Sequence, residues 1–131
     1  MNNNSAGNVV PPKCTSDGVV KSTSDININI YGNVSPFTYD ELSYNEAMLV
    51  IFHEKTHQND CNPVDREYRT RLATIQSIYF KGTSDERQKA EIDAAITYLE
   101  ASQVYNNANQ ETKDQLMAEL KSYLPEKYKN Q

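Results

Sequence analysis

The sequence predicts a mainly helical α+β fold, in which a short β-hairpin or single strand precedes about four helices. Isoleucine and asparagine alternate near the N-terminus, helix-start signals and apolar stripes recur after residue 40, and 131 residues suit one modest core. Because residues 1–17 are rich in Asn, Ser, Gly and Pro, we expect a flexible N-terminal arm there. Residues 18–131 are expected to form a single domain.

Composition and charge argue against several classes of function. The formal net charge of −5 disfavours nucleic-acid binding, which normally uses a basic surface. The longest apolar run, Ala47 to Phe52, is far too short to span a membrane. Residues 1–12 have neither a basic start nor a hydrophobic region, so they do not read as a signal peptide. The sequence therefore leaves the localisation open. The candidates include a secreted or periplasmic protein that is exported by another route.

The predicted strand is Asp25 to Tyr31, DININIY. Its isoleucines alternate with asparagines, which is typical of a strand with one apolar and one polar face. We expect Gly18 to Ser22 to pair with it as a short hairpin, and turn signals at 32–36 to end it.

The first predicted helix follows Ser43-x-x-Glu46, a capping box. The helix is apolar nearly all round from Ala47 to Phe52, which predicts that its first half is the buried centre of the domain. We expect it to stop near Asn59.

The second predicted helix begins with Asn62 as N-cap and Pro63 in the first turn, and it ends at Lys81-Gly82. Its apolar stripe consists of Tyr68, Leu72, Ile75 and Tyr79.

Two further helices complete the prediction. The third is expected to be capped by Thr83-x-x-Glu86 and to fray at 106–107. The fourth runs from about Glu111 to Tyr123, and Pro125 closes it.

The first predicted helix carries both histidines of the chain, in His53-Glu54-Lys55-Thr56-His57. Histidines four residues apart lie on one helix face, so their imidazoles can bind one metal ion. Glu54, beside them, can take a proton from a water at that ion. Lys55 points nearly opposite the histidine face and can reach solvent.

A catalytic zinc site usually has three protein ligands, and no third histidine exists here. The candidates are Glu67, Asp65 and Cys61. We favour Glu67, because a short turn after the first helix would fold the second back against it. The alternative for Glu67 is a surface ion pair with Arg71, four residues on. Asp65, in the first turn, is expected to complement the helix N-terminus instead.

Cys61 would complete a two-His, one-Cys site only if the first helix continued through it, and the turn signals at 59–63 argue against that. We predict instead that Cys61 pairs with Cys14 if the protein works outside the reducing cytoplasm.

These residues resemble the zincin metallopeptidases, specifically compact members with a close-set glutamate such as metallopeptidase domains of secreted bacterial toxins. The match is FHEKTHQ, a short gap and EYRTRLA, within about Glu46 to Tyr79. Thermolysin-like members are excluded by Ser77 at their glutamate position. Metzincins are excluded by Asp60 and Pro63, where they require Gly and His. Family members usually carry an uncharged residue where this chain has Lys55.

The resemblance implies a minimal zincin-like fold and a zinc ion held by His53, His57 and Glu67, with Glu54 as general base. It implies hydrolysis of a peptide bond in a peptide, a protein or a peptidoglycan cross-bridge, in a bacterial effector or toxin with a cognate inhibitor protein. The alternative is a catalytically inactive zincin-like binding or adaptor module. A tyrosine is expected to stabilise the oxyanion, and Tyr31, Tyr39 and Tyr79 stay open as candidates.

Overall fold

The computed structural model describes residues 7–9, 13–14, 20–22, 26–28 and 41–129. As predicted, this part of the chain is mainly helical. A 3₁₀ turn, Phe80–Gly82, separates the second and third helices. The helices are α1 (Glu41–Gln58), α2 (Arg66–Ile75), α3 (Asp85–Glu100), α4 (Gln103–Asn106), α5 (Gln110–Ser122) and α6 (Glu126–Lys129).

Short strands precede the helices: β1 (Gly7–Val9), β2 (Lys13–Cys14), β3 (Val20–Ser22) and β4 (Ile26–Ile28). The antiparallel pairs are β1 with β4 and β2 with β3. The predicted hairpin between 18–22 and 25–31 is therefore wrong in its pairing. The inner strands β2 and β3 pair with each other, which leaves β4 to pair with β1. The rest of the predicted arm and residues 29–31 lie outside the described residues.

Helix α1 begins at Glu41, so Ser43 lies inside the first turn and the predicted capping box is wrong. The helix ends at Gln58, as expected, and the Asn59 N–H still bonds the Lys55 carbonyl.

The burial predicted for the first half of α1 is largely wrong. Of the run from Ala47 to Phe52, only Leu49 is buried and the other side chains are half-buried. The reason is position: α1 packs against α2, the 3₁₀ turn, β1 and β4, and it contributes Leu49 to the apolar core, whereas most of the other core residues lie on α2, α3 and α5.

Helix α2 begins at Arg66, three residues later than predicted. The Asn62 side chain does not cap the helix, because it accepts a hydrogen bond from the Val64 N–H within a turn. Asp65 then adopts a left-handed conformation with φ of 51°, so the helix can start only after it. The helix also ends early, at Ile75, where Ser77 donates its hydroxyl proton to the Thr74 carbonyl.

Helix α3 is capped by Ser84, one residue after the predicted cap Thr83. The Thr83 hydroxyl instead donates to the Phe80 carbonyl of the 3₁₀ turn. The predicted third helix breaks after Glu100, because Ser102 caps the separate helix α4. Asn109 caps α5, which agrees within a residue with the predicted fourth helix.

The core combines residues from α1, α2, the 3₁₀ turn, α3 and α5. Two residues of the predicted α2 stripe, Tyr68 and Ile75, are buried, while Leu72 and Tyr79 pack at the edge. No helix within the described ranges is long and apolar enough to cross a membrane. The buried apolar residues are Leu49, Tyr68, Ile75, Phe80, Ile92, Ala95, Leu99 and Leu120.

Candidate metal centre

Three side chains from α1 and α2 bring ligand atoms together. The Nε2 atoms of His53 and His57 are 3.1 Å apart. The Nε2 atom of His57 is also 3.1 Å from Oε1 of Glu67. One ligand atom from each of the three residues lies within 4.8 Å of the others, so the cluster could hold a metal ion.

The spacing of these atoms fits a small divalent ion. Ligand atoms about 2.0–2.1 Å from a tetrahedral zinc ion lie about 3.3–3.4 Å from one another. Both spacings of 3.1 Å are close to that value. Two imidazole nitrogens and one carboxylate oxygen also form a donor set that zinc uses in catalytic sites. Two of the three distances between ligand atoms therefore fit such an ion.

The turn between α1 and α2 positions Glu67 opposite the histidines, and Arg69 holds this turn in place. Its guanidinium lies 2.9 Å from the Asp60 carboxylate and donates to the backbone carbonyls of Asn62 and Val64, at 2.6 and 2.9 Å. Because the turn is closed from within, α2 folds back onto α1 as predicted.

The two alternative third ligands are occupied elsewhere. The Asp65 carboxylate accepts the backbone N–H groups of Gln103 and Val104, at 2.7 and 3.1 Å. It therefore complements the N-terminus of α4, whereas the sequence predicted that it would complement the N-terminus of α2. Cys61 forms the predicted disulfide with Cys14, so its thiol cannot bind a metal.

Glu54 follows His53 on α1 and is 7% exposed. The ligand cluster does not include it. Burial raises the pKa of its carboxyl group, which is the direction that suits a general base. The motif thus places a carboxyl group beside the histidines that is available for a role other than metal binding.

The pKa values of His53 and Glu67, the two ionisable side chains that contact His57, are both lowered but for different reasons. Burial, together with the Arg71 charge, lowers the pKa of His53 to about 3, so its imidazole is neutral near pH 7. The hydrogen bond from His57 lowers the pKa of Glu67, so its carboxylate stays ionised. Both are the forms that bind a metal.

Lys55 is exposed, as predicted.

Arg71 does not make the ion pair with Glu67 that was weighed against the ligand role. Its Nη1 atom lies 3.1 Å from the Glu91 carboxylate, which also accepts from Nε of Arg87 at 3.0 Å. The positive charge of Arg71 contributes to the lowered pKa of His53 and of Glu67, and at Glu54 it opposes the larger rise that burial causes. It therefore lies within electrostatic range of all three. Sequence reasoning missed this arrangement, because Glu91 is distant in sequence.

Of the three tyrosine candidates, Tyr79 alone lies within the part of the chain that the structure describes. The Tyr79 ring packs edge-on against Tyr44, with centroids 6.4 Å apart. Tyr31 and Tyr39 lie outside the described residues. Sequence reasoning also missed Thr74, whose hydroxyl oxygen lies 3.5 Å from Nδ1 of His53. A signal was available, since residues seven apart share a helix face and Thr74 follows Glu67 by seven.

Comparison of the chain with known protein families, with curated proteins and with solved structures finds no match. The resemblance to zincin metallopeptidases therefore rests on the HExxH motif and on the glutamate that follows it. What the geometry adds is the meeting of His53, His57 and Glu67.

Proposed function

We propose that this chain is a zinc-dependent peptidase or amidase with a minimal zincin-like fold. His53, His57 and Glu67 hold the ion, and Glu54 is the general base. The observation that carries the proposal is that the three ligand atoms lie within 4.8 Å of one another. The motif positions the two histidines, and the turn positions the glutamate. The buried carboxyl group of Glu54 beside this cluster gives the second support.

Zinc, when bound, supplies a Lewis acid that polarises the scissile carbonyl and makes water acidic enough to attack at neutral pH. Glu54 takes one proton from the attacking water while the hydroxyl group adds to the carbonyl carbon. The same carboxyl group then gives the proton to the leaving nitrogen, and the C–N bond breaks. Water is thus added across the peptide bond, and Glu54 returns to its starting state.

We propose an extended peptide as the substrate, in a protein, a free peptide or a peptidoglycan cross-bridge. Strands β1 and β4 both contact α1, the helix that carries the histidines. A peptide strand added beside them would run close to the motif, as in β-augmentation. The net charge of −5 supports a partner other than nucleic acid.

The disulfide between Cys14 and Cys61 supports a setting in an oxidising compartment, because such bonds are rare in the reducing cytoplasm. We therefore extend the proposal to a secreted bacterial effector or toxin domain with a cognate inhibitor protein as its partner.

The test compares Glu54→Gln with the wild type on a peptide library, with cleavage followed by mass spectrometry and zinc measured in parallel. Glu54→Gln keeps the shape of the side chain but removes the proton acceptor. We expect it to retain zinc and to lose about 10²–10⁴-fold in rate. Glu100→Gln is the matched control, because Glu100 is exposed at the end of α3. This variant should cleave the library as the wild type does.

A wild-type rate in Glu54→Gln would show the hydrolase mechanism to be wrong. Retained zinc without cleavage of any substrate would favour the alternative, an inactive zincin-like binding or adaptor module. Lys55 is the observation that keeps this alternative, since related motifs usually carry an uncharged residue there.

A further inference from the structure

The Thr74 hydroxyl lies between a backbone carbonyl and a ring nitrogen of His53. Its oxygen is 2.7 Å from the Thr70 carbonyl oxygen, one turn earlier on α2. The same oxygen is 3.5 Å from Nδ1 of His53 on α1. Thr74 is 1% exposed, so water does not compete freely for its hydroxyl group.

The number of protons decides the direction of these contacts. A hydroxyl group has one proton to donate and lone pairs with which to accept. A carbonyl can only accept, so the Thr74 proton is used on Thr70 at the shorter distance. Towards His53 the hydroxyl oxygen can then only accept. A hydrogen bond between the two groups then needs the His53 proton on Nδ1.

A proton on Nδ1 leaves the lone pair of His53 on Nε2, since a neutral imidazole carries one N–H. Nε2 is the atom that faces Nε2 of His57 at 3.1 Å, within the ligand cluster. In the metal-free protein, a proton on Nε2 of His57 can be shared with this lone pair and with Glu67. The hydrogen-bond directions are thus consistent from α2 to the centre of the cluster.

We propose that Thr74 is a positioning residue, which holds His53 in its Nδ1–H tautomer and so directs the Nε2 lone pair into the metal centre. The role in metal binding rests on the proposed function, whereas the tautomer itself does not. Ligand histidines commonly donate their second N–H to a fixed acceptor, and removal of such an acceptor typically lowers metal affinity about 10–100-fold.

The backbone of α2 keeps the acceptor in place. Threonine has few χ1 rotamers in a helix, and the bond to the carbonyl four residues earlier selects one of them. Thr70 provides a matched comparison, since it is a threonine one turn away that is fully buried. No described residue bonds its hydroxyl oxygen. Removal of the Thr70 hydroxyl should therefore leave His53 undisturbed.

The first test is ¹⁵N NMR of the histidine rings in the full chain after removal of metal by chelation. With only two histidines, the ring signals are simple to assign. We expect the Nδ1–H tautomer at His53 in the wild type, in Thr74→Ser, which keeps the hydroxyl, and in Thr70→Val. Thr74→Val, which keeps the shape, should shift the population towards Nε2–H. An Nε2–H tautomer at His53 in the wild type would overturn the proposal, as would an unchanged tautomer in Thr74→Val.

The second test measures zinc affinity by competition with a chromophoric chelator. We expect Thr74→Val to raise the Kd about 10–100-fold, while Thr74→Ser and Thr70→Val stay near the wild type. An equal Kd in Thr74→Val and Thr70→Val would overturn the role in metal binding. A wild type that binds no zinc would refute the proposed function, but the NMR result would still decide the tautomer.

Discussion

Two parts of the helical region are held together by different contacts: the helical hairpin (α1, the turn and α2, residues 41–75) and the C-terminal bundle (α3–α6, residues 85–129). In the bundle, four apolar residues on α3 and α5 are completely buried, and the buried polar side chains of Gln88, Glu91 and Ser102 each make a hydrogen bond. In the hairpin, two buried side-chain atoms, the Thr70 hydroxyl oxygen and Nε of Arg71, have no hydrogen-bond partner among the described residues. The turn is closed by an ion pair and is linked to β2 by a disulfide. The four apolar bundle residues are Ile92, Ala95, Leu99 and Leu120.

The difference shows where stability and chemistry are placed. Apolar burial is the main source of folding free energy, and polar groups in a protein interior lower stability unless they have partners. The hairpin therefore keeps its polar groups at some cost, and covalent and ionic links offset that cost. Changes in the bundle should alter unfolding and leave metal binding unchanged, while changes in the hairpin should alter both or metal binding alone.

The largest effect on stability is expected from removal of the disulfide. Cys14 and Cys61 are 47 residues apart, and closing a loop of this length is worth about 4 kcal/mol through the entropy of the unfolded chain. We expect the double variant Cys14→Ser, Cys61→Ser to lose about this much unfolding free energy in urea. Its zinc content at low temperature should match that of the wild type. Loss of zinc in folded variant protein would instead support a two-His, one-Cys site.

In the bundle, a matched pair of isoleucines isolates the apolar contribution. Ile92 is completely buried on α3, whereas Ile78 is 86% exposed after α2. We expect Ile92→Ala to lower the unfolding free energy by about 3 kcal/mol, since it leaves a cavity. Ile78→Ala should change it by less than about 0.5 kcal/mol. Zinc affinity measured on the folded proteins should be the same for both, and a weaker affinity in Ile92→Ala alone would show that the two parts are coupled.

His53, in the hairpin, should also make the stability depend on pH between pH 7 and pH 5. Burial lowers the pKa of His53 from 6.5 to about 3, so between these values the unfolded chain binds a proton that the folded chain does not. Stability of the metal-free protein should therefore fall as pH decreases, by about 2 kcal/mol from pH 7 to pH 5 for this group. The lowered pKa of Glu67 acts only below its usual value of 4.5, outside this range.

The measurement is urea unfolding at both pH values for the wild type and for His53→Gln. The difference between the two proteins isolates His53 from groups such as Glu54, whose raised pKa acts in the opposite direction. An equal pH dependence in both proteins would contradict the burial of a neutral imidazole.

The smallest effect is expected at the turn. Arg69→Met removes the ion pair with Asp60 and two bonds to carbonyl oxygens, which should cost about 1 kcal/mol because the site is partly exposed. Zinc should also bind more weakly, since Glu67 is then held less firmly. Arg66→Met is the control, as Arg66 makes one long contact of 3.4 Å to the Asn62 carbonyl. If both variants bind zinc equally, Arg69 does not set the position of Glu67.

The sequence predicted most of the candidate site because its signals are local. The spacing of His53 and His57 fixes their common face in any helix, and the short turn brings Glu67 back to them. Helix ends were predicted less well, since neighbouring polar residues compete for the same role. Ser84 caps α3 in place of Thr83, and Asn62 closes a turn where a helix start was expected.

Contacts between distant segments could not be read from the sequence. Arg71 bonds to Glu91, which lies 20 residues later in the chain, and not to Glu67. Asp65 likewise accepts a hydrogen bond from Gln103 at the N-terminus of α4. The predicted pairing of the β-hairpin was wrong for a similar reason, because β4 pairs with β1 and not with its neighbour β3. Each of these contacts depends on how packed elements meet, and local spacing does not determine that.

The most direct test of the central claim is the amount of zinc bound per chain, measured by native mass spectrometry on protein purified without added metal. We expect one zinc ion in the wild type and a loss of zinc in His57→Ala. Glu67→Gln should have lowered occupancy, because it loses a charged ligand, whereas Glu54→Gln should keep its zinc. Equal, negligible zinc in the wild type and in His57→Ala would contradict the proposed metal centre.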